Sequence, residues 1–226
     1  MKSTRLPGKA MMPILEKPVL WYIFKRLSNC KNLDEICIST SQNSSDDIIE
    51  EFAQKEKINI FRGDEEKIVN RLIGTADKFN ADAIVRITAD CPLIDPLLID
   101  ELISIYKSKS TYDYVSNIIK RTYPDGLDTE IISIDFLKNI FQNVEKSQEL
   151  FSIFITENYK KFNCFSYENK KDLSKLRWTL DYQEDYDFIK NIYSKLYLQN
   201  PNFDMNDILK LLDKYPNLSQ INEKYS

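Results

Sequence analysis

Short apolar runs alternate with amphipathic stretches through the first half of the chain, and few folds tolerate that pattern. "EICIST", "INIF" and "DAIVRIT" read as buried strands, each separated from the next by residues with apolar positions at helical spacing. Parallel strands need crossovers of a dozen or more residues, usually helices, so the pattern predicts an α/β fold with a mainly parallel central sheet flanked by helices. Pro18 to Leu27 places Pro at a first helical turn and an apolar face at Leu20, Ile23, Phe24 and Leu27. Ser44 or Ser45 can cap the next helix, with Asp46 and Asp47 at its positive end and Ile48, Ile49, Phe52 and Ala53 turned inward. A helix over 65–79 and one starting at Asp95-Pro96 follow. Beyond Lys109 the expected elements are a strand at "YDYV", a loop through Gly126, a strand at "DTEIISI" and helices near 136–145 and 148–160. Late strands at "FNCFSYE" and "LRWTLD" and closing helices over 184–198 and 205–212 complete the prediction. No repeat or long linker interrupts the 226 residues, which predicts a single domain over 1–226.

Histidine is absent, which removes Ser-His-Asp and Cys-His nucleophile pairs, His-ligated metals and imidazole acid-base catalysis together. Chemistry must then use carboxylates, cations or a metal held by oxygen, for which magnesium is the default. The four cysteines form no C-x-x-C pair, so neither a zinc site nor a disulfide framework is indicated, and a reducing, cytoplasmic setting is expected. A formal net charge of -4 argues against nucleic-acid binding. No apolar run is long enough for membrane insertion.

In open α/β sheets ligands bind beyond the carboxyl ends of the strands, which selects Thr40, Ser41, Arg62 and Asp90. Asp90 can hold magnesium over that crevice or simply form the turn before Cys91-Pro92. Asp181, in "RWTLDYQEDYDFI", has the same two-sided character, because Asp181 and Glu184 have capping-box spacing. The opening "MKSTRLPGK" is no Walker A loop, since "LPGKA" has Ala10 where a magnesium-binding hydroxyl belongs. Arg5 and Lys9 nevertheless flank a Pro-Gly turn and can neutralise a polyphosphate. "RTYPDGLDTE" sets Tyr123, Asp125, Asp128 and Glu130 around a turn that is either a strand entry or a surface for polyol hydroxyls.

"KSTRLPGK", "RITADCPLID", "RTYPDGLDTE" and "LRWTLDYQED", in that order, resemble the spore-coat polysaccharide cytidylyltransferases, relatives of the acylneuraminate and 3-deoxy-manno-octulosonate cytidylyltransferases. The resemblance covers about the first 190 residues. It implies a Rossmann-like nucleotide-diphospho-sugar transferase fold and transfer of CMP from CTP to a hydroxyl of an acidic sugar, with release of pyrophosphate. By resemblance, Ser3, Thr4, Arg5 and Lys9 hold the nucleotide and its phosphates, Thr40 and Ser41 lie near the base, and Arg86 lies near the nucleotide. Asp90 and Asp181 become the magnesium ligands, and Tyr123, Asp125, Asp128 and Glu130 face the sugar, within a sugar-binding and dimer-contact region around 116–168. A homodimer is implied, and a role in cell-surface polysaccharide synthesis.

Two departures accompany the resemblance. Relatives carry Arg-Glu-His where this chain has Gln148, Glu149 and Leu150. They also begin with an apolar strand, ending Ala-Arg, immediately before the position of Met1, so the first strand is expected to be missing here and Met1 to be an internal methionine or the edge of a fragment. Two other functions fit the same residues: a non-catalytic homologue acting as a binding or assembly partner, and a glycosyltransferase using a nucleotide sugar.

Overall fold

A computed structural model of the chain describes residues 3–109, 111–141 and 151–225. The opening loop makes a left-handed turn at Gly8 (φ 74°) into a short 3-10 turn at Lys9–Met11, then a small antiparallel hairpin of β1 (Pro13–Ile14) and β2 (Lys17–Pro18). Helix α1 (Val19–Leu27) buries Val19, Leu20, Tyr22 and Ile23, and β3 (Cys37–Ser41) follows. Helix α2 (Asp47–Glu56) leads to β4 (Asn59–Gly63), which pairs in parallel with β3 from Cys37↔Asn59 to Ser41↔Gly63. Helix α3 (Ile68–Phe79) returns the chain to β5 (Ala83–Arg86), and α4 (Pro96–Ser108) begins where the Asp95 carboxylate accepts from Leu97 N at 2.9 Å.

The second half adds β6 (Tyr114–Ser116), β7 (Glu130–Ser133), α5 (Ile134–Phe141), α6 (Phe151–Glu157), β8 (Cys164–Ser166), α7 (Gln183–Leu196) and α8 (Met205–Lys214). The four-stranded sheet runs β5-β7-β6-β8, with β7 antiparallel to both neighbours and β8 parallel to β6. The expected mainly parallel sheet is therefore mixed, because β7 re-enters between β5 and β6 after the long turn 117–129. Three other expectations change. "LRWTLD" is no strand: its pairing consists of a bridge between Arg177 and Asp125 and the bond from Leu180 N to Asp90 O at 2.8 Å. No serine hydroxyl caps α2, which instead follows a 3-10 turn over Ser44–Asp46. The start of α7 is capped by the carboxylate of Asp185, not by an Asp181–Glu184 pair. Gln148, Glu149 and Leu150 lie outside the described residues.

The main core packs α1, α4, α7 and α8 around Trp178, Tyr193, Phe188, Leu102 and Val115, and a second cluster joins α3, α5, α6, β6 and β7. Buried Arg26 ties this core together by donating to Ile94 O and Phe203 O at 2.5 and 2.8 Å. Among the described residues no ladder joins β3 to β5. Their edges face each other across a slot that opens as a cavity of about 320 Å³ between α1 and α3, and one of about 610 Å³ toward α4. Strand β5 is accordingly only half-buried along its length, unlike β6. No helix among the described residues is long and apolar enough to cross a membrane.

Candidate active site

The carboxyl end of β5 and the segment before α7 converge on the opening loop. Pro7 and Gly8 turn the chain so that Lys9 projects its amine inward, where Nζ donates to Asp90 Oδ2 at 2.9 Å, Asp181 Oδ1 at 3.0 Å and the Leu180 carbonyl at 2.9 Å. Arg5, half-exposed at the rim, contacts the other oxygen of Asp181 at 2.9 Å and lies over the Tyr182 ring. Residues as far apart in sequence as Arg5 and Asp181 thus meet at one point. Burial pushes the Asp90 carboxyl up, but the Lys9 ammonium and the Thr88 hydroxyl outweigh it and hold it below its ordinary value.

Asp181 is free for this role because its neighbour does the capping. Asp185 is fully buried and accepts from Asp181 N and Tyr182 N, both at 2.9 Å, and from both arms of Arg177 at 2.9 and 3.0 Å. Three oxygens, from Asp90, Asp181 and the Leu180 carbonyl, therefore surround one cation position. An all-oxygen set suits a hard divalent ion such as magnesium, whose other positions are commonly filled by substrate phosphates and water. Among the described residues no group of three His, Cys, Asp or Glu side chains is placed to hold a metal, so the protein's share would be two carboxylates.

The turn 121–128 borders the same face, joined to it by Arg177, whose guanidinium stands 3.3 Å from Asp125 and 3.5 Å from Asp181. Gly126 (φ 108°) allows this approach: a Cβ there would lie 2.4 Å from the Thr179 nitrogen and the Trp178 carbonyl carbon. Asp125 sits between Arg121 at 3.5 Å and Arg177 at 3.3 Å, and Arg121 forks onto Asp128 at 2.6 and 2.8 Å. Burial, with the neighbouring Asp128 carboxylate, pushes Asp125 up despite both arginines. Tyr123 is buried and stacks beside Tyr167.

Other expected site residues are grouped elsewhere. Glu130 is buried and committed to Arg86, its cross-strand partner, and to the Tyr114 hydroxyl at 2.7 Å, so it forms part of an internal polar network with Arg86. Thr40 and Ser41 both donate their hydroxyls to buried Asp46 at 2.7 Å. Arg62 binds Glu50 and Asp47. Ser3 accepts from Leu6 N at 3.2 Å, shaping the loop, and Thr4 is exposed. Two arginines join the candidates. Arg121 opened a quoted motif and was readable as the only cation beside its acids, whereas Arg71 on α3 gave no signal. Arg71 lines the slot, its Nη1 bonded to the Asp64 and Glu65 carbonyls and its buried Nε without a hydrogen-bond partner among the described residues.

A family model described as cytidylyltransferase matches residues 1–203. The chain is 29% identical to the spore coat polysaccharide biosynthesis protein SpsF of Bacillus subtilis over 96% of this chain and 92% of that protein. It is 30% identical to a 3-deoxy-manno-octulosonate cytidylyltransferase of Geobacter sulfurreducens, over 45% of this chain and 40% of the relative. A solved cytidylyltransferase from Leptospira borgpetersenii superposes with a TM-score of 0.92 at 31% identity, covering 97% of this chain and 93% of the other. With the lysine-bridged carboxylate pair, the arginine-flanked turn and these likenesses together, the chain belongs to the cytidylyltransferase family.

Proposed function

We propose that the protein transfers CMP from CTP to a hydroxyl of an acidic sugar destined for a cell-surface polysaccharide, with Asp90 and Asp181 holding magnesium. The observation that supports this most is the convergence of two carboxylates and a carbonyl on one cation position beside a cationic loop. A sugar oxygen attacks the α-phosphorus in line, its proton leaves to solvent or a carboxylate, and the bond to the bridging oxygen of pyrophosphate breaks. Magnesium, when bound, neutralises charge on the α-phosphate and lowers the pKa of the attacking hydroxyl. Lys9 and Arg5 exchange their carboxylate partners for triphosphate oxygens and offset the charge that builds on the leaving group.

Arg121 supplies the recognition of an acidic sugar, since a guanidinium fork matches a carboxylate in two parallel bonds. Asp125 and Asp128 hold the Arg121 guanidinium in place and offer acceptors to sugar hydroxyls. The likeness to the spore coat protein supports a polysaccharide precursor. The same reading includes a homodimer working in the cytoplasm. Pyrophosphate release that requires CTP, magnesium and an acidic sugar is the expected result. Full activity in Asp90→Ala and Asp181→Ala variants, or equal turnover of UDP-sugars, would refute it.

A further inference from the structure

The segment after α8 lies beyond residues 1–203 that the family model matches, yet it reaches back to the carboxylate site. Leu218 is buried in the main core, and the chain then crosses the start of α7. Asn222 is 2% exposed, and its side-chain amide donates to Asp185 Oδ1 at 2.9 Å and to Arg177 O at 3.0 Å. Tyr225 stacks flat on Tyr182, with centroids 3.9 Å apart and planes 3° from parallel. Lys224 and the Tyr225 hydroxyl both bind Glu184. The strap thus touches two of the supports of Asp181: Asp185, which holds its amide, and Arg177, whose guanidinium stands 3.5 Å from its carboxylate. Arg5, which also contacts the Asp181 carboxylate, lies over the Tyr182 ring on which Tyr225 stacks.

We infer that the 218–225 strap positions Asp181, with Asn222 and Tyr225 as positioning residues that lock the Arg177–Asp185 platform and so set the geometry at which Asp181 can take a divalent cation. This rests on the reading of Asp181 as a metal ligand. The physical warrant is that a buried carboxylate with five donors has one arrangement that satisfies them all. Asn222 is the donor that comes from outside the 177–185 segment. Outer partners of this kind typically change metal affinity by roughly 10- to 100-fold when removed.

The test titrates manganese into full-length protein held in CTP without sugar, and reads the midpoint concentration of the rise in melting temperature. Asn222→Ala and Tyr225→Leu are expected to raise that midpoint roughly tenfold, and Leu218→Ala, which loses only apolar packing, is expected to lower the melting temperature without moving the midpoint. Should Asn222→Ala fail to fold, Tyr225→Leu decides alone. An unchanged midpoint in Asn222→Ala and Tyr225→Leu, while Asp181→Asn abolishes the shift, overturns the positioning role only. A wild-type midpoint in Asp181→Asn overturns the metal reading and this inference with it.

Discussion

Replacing Lys9 by methionine keeps most of the length of the side chain and removes its charge, leaving Asp90 and Asp181 to face each other. Each carboxylate oxygen lies about 3 Å from the missing ammonium position, so the two are at most about 6 Å apart. The three side chains are 16, 28 and 12% exposed, a half-buried setting for which an effective dielectric constant near 20 is appropriate. Two unit charges at that separation repel by about 3 kcal/mol. Relaxation and counter-ion uptake reduce this, and the loss of two charge-assisted bonds adds to it, so a net destabilisation of roughly 2 to 4 kcal/mol is expected without divalent ions. For a chain of this length that is a fall of about 5 to 15 °C in melting temperature. Thermal denaturation in EDTA and in millimolar magnesium, at matched ionic strength, gives the measurement. Magnesium should recover most of the loss in Lys9→Met and do much less for the wild type, whose own ammonium fills the position. A variant that melts within a degree or two of wild type in EDTA would show that Lys9 is not the counter-ion. A full loss that magnesium leaves untouched would show that the pair cannot take a divalent ion.

Three further outcomes follow from other parts of the molecule. Gly126→Ala puts a methyl 2.4 Å from backbone atoms at a positive φ, so it should cost about 3 kcal/mol or more; a melting temperature close to wild type would contradict the close packing of 125–127 on 178–179. Asp46 is pushed up by burial but held well below the carboxylate range, with the Thr40 and Ser41 hydroxyls among its donors. A carboxylate depressed on folding stabilises above its unfolded pKa of about 4 and loses that contribution as pH falls through the folded value. The stability gap between wild type and Asp46→Asn should therefore be constant above about pH 5 and shrink below pH 4, and urea denaturation finding a gap that grows on acidification would be the wrong sign. Finally, an N-terminal fusion supplying about six apolar residues should pair with the facing edges of β3 and β5. At about 0.5 to 1.5 kcal/mol net per backbone bond it should raise the melting temperature by many degrees, whereas a polar fusion of equal length should not.

The periodicity of the chain was enough to locate α1, α3, α4, α7 and α8 and strands β3 to β8, because burial of one face is written locally as spacing 3.6 or 2. It failed at "LRWTLD", whose apolar residues are buried without a ladder: Trp178 and Leu180 pack inward while the backbone bonds to Asp125 and Asp90 one at a time. The capping-box spacing of Asp181 and Glu184, one of the two readings of that segment, is not what caps α7: Asp185, held by the Arg177 guanidinium, accepts from Asp181 N and Tyr182 N instead. The pairing of Glu130 with Arg86 was illegible for a similar reason, as it depends on the register of two strands 44 residues apart.

By itself the sequence determined the kind of chemistry available: with no histidine, any catalysis falls to carboxylates, cations and a metal bound by oxygen, and the four ordered motifs named the carboxylates. Tertiary structure decided which of those groups meet. Lys9, Asp90 and Asp181 lie in three distant parts of the chain, and their meeting within 3 Å comes from a glycine turn at residue 8, the end of β5 and the Leu180–Asp90 backbone bond. Charges carry no record in sequence of the partner they will face, because ion pairing depends on distance and dielectric, and both exist only after the chain has packed.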